Sequence, residues 1–157
     1  MYDKTGATEN IKILAELIGC GVFGTAPSED TVKKLTPEKL KELYIISSEH
    51  KLAHIVGSCL EKNKLLTDEV LGSVFRQEIM TSLYRYEKLI FGFNRICDLF
   101  EKEQIPFIPL KGAVLRNIYP EGWMRVGCDI DILVQRRDIE KVKDLFKERL
   151  NYRFLNE

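Results

Sequence analysis

Asp129 and Asp131 stand one residue apart in the run Asp-Ile-Asp-Ile-Leu-Val, which spans positions 129–134. Successive side chains of a strand point to opposite faces, so Ile130 and Ile132 enter a core while both carboxylates project together from the other face. Two acids so placed can share a divalent metal ion. Eight aspartates in 157 residues give roughly 0.4 such triplets by chance, so the triplet alone decides little. Its setting gives it weight: β-branched and apolar residues follow it, and the turn Lys111-Gly112 closes the apolar segment before it.

The elements that must carry such a pair are legible on both sides. Ile105-Pro106-Phe107-Ile108-Pro109-Leu110 is short, apolar and proline-bounded, which predicts a strand and not a helix. Gly112 to Ile118 reads as a short helix, Tyr119-Pro120-Glu121-Gly122 as a turn, and Asp129 to Val134 as the second strand. Asp138 then caps an amphipathic helix carrying Ile139, Val142, Leu145 and Phe146, and Tyr152 to Leu155 opens a third strand.

Upstream the pattern is helical. Apolar residues at 11, 14, 15 and 18 keep helical spacing from Thr8 to about Cys20, and the glycines at 19, 21 and 24 end that helix. Ser28 precedes acidic residues and suits the cap of a short second helix. Thr36-Pro37-Glu38 is a stronger start, with a capping hydroxyl and proline at the first helical position, for a helix that runs to Lys62 with room for a break. Behind Thr67-Asp68-Glu69, apolar positions recur at 71, 75, 79, 83, 86, 90, 93, 97 and 100, which predicts one long helix with a packed stripe. The fold class is therefore α+β: a helical region over 1–103, then the start of a sheet-bearing core domain over 104–157.

Composition bounds the rest. Hydrophobic residues at 45 % and charged ones at 31 % describe an ordinary globular chain, without low complexity or repeats. Lys plus Arg equals Asp plus Glu at 24 each, so no global field draws in nucleic acid or an acidic membrane surface. The cluster Arg136, Arg137, Lys141 and Lys143 is interleaved with Asp138, Glu140 and Asp144 and reads as a solvated helix face. No apolar run approaches the roughly 18 residues of a membrane span. Cys20, Cys59, Cys97 and Cys128 form no Cys-x-x-Cys pair, and the first residues lack the plan of a signal peptide, so reduced thiols in the cytoplasm are expected.

The segment Pro-Leu-Lys-Gly-Ala-Val-Leu (109–115), then Tyr119-Pro120, then Arg-Val-Gly-Cys-Asp-Ile-Asp-Ile-Leu-Val (125–134) resembles the nucleotidyltransferase superfamily of the DNA polymerase β type. It is most similar to a bacterial branch called uncharacterised nucleotidyltransferases, and Glu49-His50-Lys51-Leu52-Ala53 resembles that branch's helical lead-in. The resemblance implies Mg2+-dependent transfer of a nucleoside monophosphate from a nucleoside triphosphate to a hydroxyl acceptor. Asp129 and Asp131 are then the catalytic metal ligands, with two Mg2+ ions in a complete site. Lys111, Gly112, Ala113 and Arg125 would meet the phosphates, the turn glycine letting backbone N–H groups approach them at the start of the following helix.

Two departures bear on that implication. Ala113 stands where the superfamily has serine or glycine, so a hydroxyl contact is missing. The superfamily's third carboxylate has no counterpart, because Glu157 lies too close behind the last helix. The chain accordingly reads as the N-terminal part of a longer family protein or as a degenerate member. The alternative to an enzyme is a catalytically inactive or truncated module that binds nucleotide or a protein partner. Two or three strands also leave open sheet edges, through which self-association is expected.

Three other signals are set aside. Gly19-Cys20-Gly21-Val22-Phe23-Gly24 spells the dinucleotide fingerprint but follows a helical pattern and precedes a turn, so strand–turn–helix context is missing. His50 and His54 have the spacing of a zinc pair on one helix face but lack a third ligand, and read as packing or surface histidines. Trp123 reads as a loop-packing indole before a base-stacking one.

Overall fold

The computed structural model describes residues 4–127 and 129–153. Among the described residues, seven helices and two strands follow in the order α1 (Lys4–Phe23), α2 (Glu29–Lys34), α3 (Pro37–Glu49), α4 (Ala53–Lys62), α5 (Glu69–Lys102), β1 (Phe107–Pro109), α6 (Gly112–Leu115), β2 (Ile132–Val134) and α7 (Ile139–Leu150). Short 3-10 turns at Arg116–Ile118, Gly122–Met124 and Arg136–Asp138 join the later elements. The chain is α+β, helical at its N-terminal side. It divides into two compact units, Met1–Glu87 with Arg116–Cys128, and Lys88–Leu115 with Asp129–Glu157. No helix among the described residues is long and apolar enough to cross a membrane.

The first unit is helical. Helix starts fall where capping chemistry places them: Ser28 Oγ accepts from Thr31 N, Thr36 Oγ1 accepts from Lys39 N, and Asp68 Oδ1 accepts from Leu71 N at 2.8 Å. Helix α4 lies at the centre, with every residue from Ala53 to Leu60 buried. Ile13, Leu14, Leu17 and Cys20 of α1 pack with Leu40, Leu43, Val56, Cys59, Leu60 and Phe75. Helix α1 does not stop at its first glycine. It runs through Gly19 and Gly21, and Gly24 alone, at φ +69°, adopts the left-handed backbone that ends a helix. Gly21 is taken up by packing, since a Cβ there would lie 2.7 Å from the Ile55 carbonyl oxygen.

Helices α3 and α4 are separated by a turn in which Lys51 has φ +57° and Leu52 N donates to Ser47 O at 2.7 Å. The break leaves His50 at the end of α3 and His54 inside α4, so the two share no helix face. Helix α5 is continuous over 34 residues, and none of its nine stripe positions is exposed.

In the second unit Ile96, Phe100, Ile105 and Leu145 are buried, with Phe107, Ile130, Ile132, Val134, Val142 and Phe146 packed on them. Phe100 meets Phe107 edge-on at 5.3 Å and stacks on Phe146 at 5.7 Å. Strands β1 and β2 pair antiparallel, with Phe107 opposite Val134, Ile108 opposite Leu133 and Pro109 opposite Ile132. One face of this ribbon covers the core, while Ile108 and Leu133 are exposed on the other.

Both strands are shorter than their sequence patterns. Leu110 N still donates to Asp131 O at 2.9 Å, but Lys111 then turns at φ +41°, so nothing continues the ladder opposite Asp129 and Ile130. The acidic pair therefore sits in the lead-in to β2 and not in the strand proper. Asp138 stands at the start of α7 without a side-chain cap bond, because the preceding 3-10 turn has already given it helical backbone angles, φ −95° and ψ −5°. Asn151 to Arg153 form no strand, and Phe154 and Leu155 of the expected third strand lie outside the described residues.

Candidate functional site

The β1–α6 bend and the start of β2 bring several of the singled-out residues together. Lys111 occupies the bend itself in a left-handed conformation that non-glycine residues seldom adopt. Its carbonyl accepts from Val114 N at 3.2 Å and Leu115 N at 2.8 Å, which starts α6, and Gly112 is buried as the first residue of that helix. The sharp backbone angle thus falls on Lys111, and Gly112 is not among the residues with positive φ.

Across the last rung of the ladder, Lys111 Nζ lies 3.7 Å from Asp131 Oδ2. With 76 % of the lysine and 40 % of the aspartate side chain accessible, such a pair is worth at most about 1 kcal/mol. Ile130 and Ile132 both face the core, leaving Asp129 exposed and Asp131 partly exposed ahead of β2. Ala113 is half-buried in α6, and its methyl side chain carries no hydrogen-bonding group. Among the described residues, no group of three or more His, Cys, Asp or Glu side chains gathers at metal-binding distances.

A second arrangement lies in the first unit, and sequence reasoning did not find it. The Arg116 guanidinium is buried. Its Nη1 donates to Gly122 O at 3.1 Å and Arg125 O at 2.8 Å, and its Nη2 donates to Gly127 O at 2.7 Å. Ser82 Oγ donates to Trp123 O at 2.8 Å, and His54 Nε2 lies 3.0 Å from Met124 O. A carbonyl only accepts, so His54 carries its proton on Nε2. Burial pulls the His54 pKa below the ordinary histidine value, and the Met124 carbonyl and Glu78 offset part of that shift. Arg116 is likewise held below the ordinary arginine value, first by burial and then by repulsion from Arg125.

Tyr86 supports the same loop. Its ring centroid lies 5.8 Å from the Arg116 guanidinium carbon, and a Cβ on Gly122 would come within 2.6 Å of the ring. Trp123 packs edge-on against His54 at 5.9 Å, as a loop-packing indole does. Arg125 is half-buried here, in the first unit, whereas Lys111, Gly112, Ala113, Asp129 and Asp131 belong to the second. Arg116, in Leu-Arg-Asn-Ile, matches no motif, and carbonyl acceptors leave no mark in a sequence, so nothing short of the fold could identify this cluster.

The family model described as uncharacterised nucleotidyltransferase matches residues 36–156, from the cap of α3 to the last residue but one. The chain belongs to this family. The matched span contains the Lys-Gly bend, the acidic pair and the whole Arg116 cluster, while α1 and α2 precede it. No curated protein and no solved structure matches the chain. Membership in a nucleotidyltransferase family implies a nucleotide substrate.

Proposed function

We propose that the chain carries a Mg2+-dependent nucleotidyl-transfer site, in which Asp129 and Asp131 hold metal and Lys111, Gly112 and Ala113 receive the triphosphate. The observation that carries this reading is the meeting of Asp131 with Lys111 at the bend that opens α6, inside the matched family span. The donor set fits the ion. Magnesium takes oxygen ligands, keeps several waters and binds through one or two carboxylates plus substrate phosphates. Both carboxylates are accessible, and Asp131 already attracts a cation, the Lys111 ammonium. When bound, Mg2+ would neutralise charge on the phosphate oxygens and on leaving pyrophosphate.

In the reaction, the acceptor hydroxyl oxygen forms a bond to the α-phosphorus and gives its proton to water, and the bond from that phosphorus to the β-bridging oxygen breaks to release pyrophosphate. This chain's residues orient and neutralise. Lys111 is held loosely by Asp131, so exchanging that partner for a phosphate oxygen costs little. Backbone N–H groups of Gly112 and Ala113, in the first turn of α6, would donate to the phosphate oxygens.

The reading places the protein in the cytoplasm, where its cysteines stay reduced and nucleoside triphosphate is present. A second reading, a nucleotide- or partner-binding module without turnover, is favoured by Ala113, which brings no hydroxyl to the phosphates. Calorimetry with Mg2+ and a nucleoside triphosphate tests the site: replacing both acids (Asp129→Asn with Asp131→Asn) should abolish Mg2+-dependent binding and leave the helical signal intact. Unchanged affinity in that double variant refutes the assignment, and binding without pyrophosphate release in any acceptor mixture selects the module.

A further inference from the structure

Alternation along the β1–β2 ribbon sorts its side chains by face. Phe107, Ile132 and Val134 cover the core, while Ile108 and Leu133, opposite one another, point the other way at 58 % and 54 % exposure. With Ile130 and Ile132 turned to the core, Asp131 shares the outer face with Leu133, and the bond from Leu110 N to Asp131 O extends the same register by one rung. The Lys111 ammonium reaches Asp131 there, 3.7 Å from Oδ2. From the bend outward the face therefore carries Lys111, then Asp131 beside Leu110, then Leu133 beside Ile108. All five belong to the second unit.

An antiparallel ribbon with one buried face normally turns polar residues outward on the other. Single exposed apolar residues are ordinary, but here two large ones form a cross-strand pair, about 7 Å along the strand from the carboxylate proposed to hold metal. In-line displacement gives that pair a use, because the attacking and leaving oxygens of phosphoryl transfer stand on opposite sides of the phosphorus. With the β- and γ-phosphates at the bend and the α-phosphate at Asp131, the acceptor oxygen arrives from the side away from the bend. Ile108 and Leu133 lie on that side. Their side chains offer neither hydrogen bond nor charge, so what they cover best is apolar surface next to the attacking hydroxyl.

We infer that Ile108 and Leu133 are specificity-determining residues that seat the acceptor, and that the acceptor is a hydroxyl on an apolar carrier, a phenol or an aliphatic alcohol. A nucleic-acid end would bring phosphates to two uncharged side chains, and a sugar would press its remaining hydroxyls against aliphatic carbon. The transfer is the one proposed above: the alcohol oxygen bonds to the α-phosphorus, its proton passes to water, and pyrophosphate leaves at the bend. The product is a phosphodiester of the apolar alcohol. The inference rests on the proposed function, which supplies both the metal and the direction of the triphosphate.

The test uses the full chain with Mn2+ and ATP, with N-acetyltyrosine amide as the apolar hydroxyl and methyl glucoside as the polar one. Mn2+ speeds the proton relaxation of molecules held beside it. The ring protons next to the tyrosine hydroxyl should relax faster than with Mn2+ and ATP free of protein, and methyl glucoside should show no such gain. Ile108→Thr with Leu133→Thr, at exposed positions where threonine keeps β propensity, should weaken binding of the tyrosine probe by about tenfold, the low end for groups lost from an apolar site. Affinity for Mn2+ with ATP should stay unchanged in that double variant. Leu133→Thr alone should give a smaller loss of the same sign, and it replaces the double variant should that fail to fold. No gain for the tyrosine probe, an equal gain for both probes, or an unchanged effect in the variants overturns the inference while the function stands. Two findings with Mg2+ and ATP would also overturn it: nuclear Overhauser contacts from adenine protons to the Ile108 and Leu133 methyls, which give the face to the base, and a dimer dissolved by the double variant, which gives it to a second copy. If the unaltered chain binds no Mn2+ with ATP, the function itself falls.

Discussion

Gly19 and Gly21 lie two residues apart in α1, and alanine substitutions at the two positions should move stability in opposite directions. Inside a helix alanine is favoured over glycine by roughly 0.8–1.0 kcal/mol, and that gain applies equally to both. The surroundings separate them. Nothing lies within 4 Å of a Cβ built on Gly19, whereas one on Gly21 meets the Ile55 carbonyl oxygen at 2.7 Å and Ile55 Cγ2 at 2.9 Å. The nearer atom is backbone of the buried helix α4 and cannot rotate away, so α1 and α4 must part, losing dispersion along their shared face. Overpacking of this kind costs about 1–3 kcal/mol, to which a strained carbonyl contact adds.

Gly19→Ala should therefore stabilise by up to about 1 kcal/mol, and Gly21→Ala should be net destabilising by about 1–2 kcal/mol. In urea unfolding, with a slope of roughly 1–3 kcal/mol per molar, the two midpoints should stand about 1 M apart on either side of the parent. Equal stabilisation by both substitutions would refute the close approach of α1 to α4. Loss of a bound dinucleotide on either substitution would revive the fingerprint reading that the helix argues against.

Further outcomes follow from the same geometry. Lys111→Ala should leave the urea midpoint nearly unchanged, the exposed pair with Asp131 being worth at most about 1 kcal/mol, while lowering affinity for Mg2+ with nucleoside triphosphate in calorimetry; unchanged affinity removes Lys111 from the site. His54 has a folded pKa below its unfolded value, so the unfolded chain binds more protons and stability must fall as pH drops below about 6.5. Urea midpoints between pH 7 and pH 5 should show that fall, and His54→Gln, whose amide can still donate to Met124 O, should flatten it; parallel profiles would refute the assignment. Open edges on a two-stranded ribbon should give concentration-dependent self-association in size-exclusion chromatography, and a monomer at high concentration would exclude it.

Much of the architecture was legible because its signals are local. Capping chemistry at Ser28, Thr36 and Asp68 marks helix starts through bonds that span three residues, and the nine-position stripe of α5 records burial at a fixed period. The resemblance carried by Lys-Gly, Tyr-Pro and Asp-x-Asp pointed to the family that the match over 36–156 establishes. Helix ends were harder, for a physical reason. Lys51, Lys64 and Gln104 take the left-handed position after α3, α4 and α5, each followed by a backbone bond back five residues. Without glycine at these positions, the usual stop signal is missing.

Asp129-x-Asp131 and the Lys-Gly bend were readable as chemistry from residue type and spacing alone, since alternation along an extended segment needs no knowledge of partners. How far the ladder extends was not readable, because it depends on where β1 turns away, and the turn falls on Lys111 and not on the glycine beside it. Tertiary structure alone decided the fate of Arg116, His54 and Ser82. Their partners are main-chain carbonyls 6 to 70 residues away, and a carbonyl is identical at every position of a sequence. Only folding, which brings α4, α5 and the turn after α6 around one loop, can select which carbonyls those side chains meet.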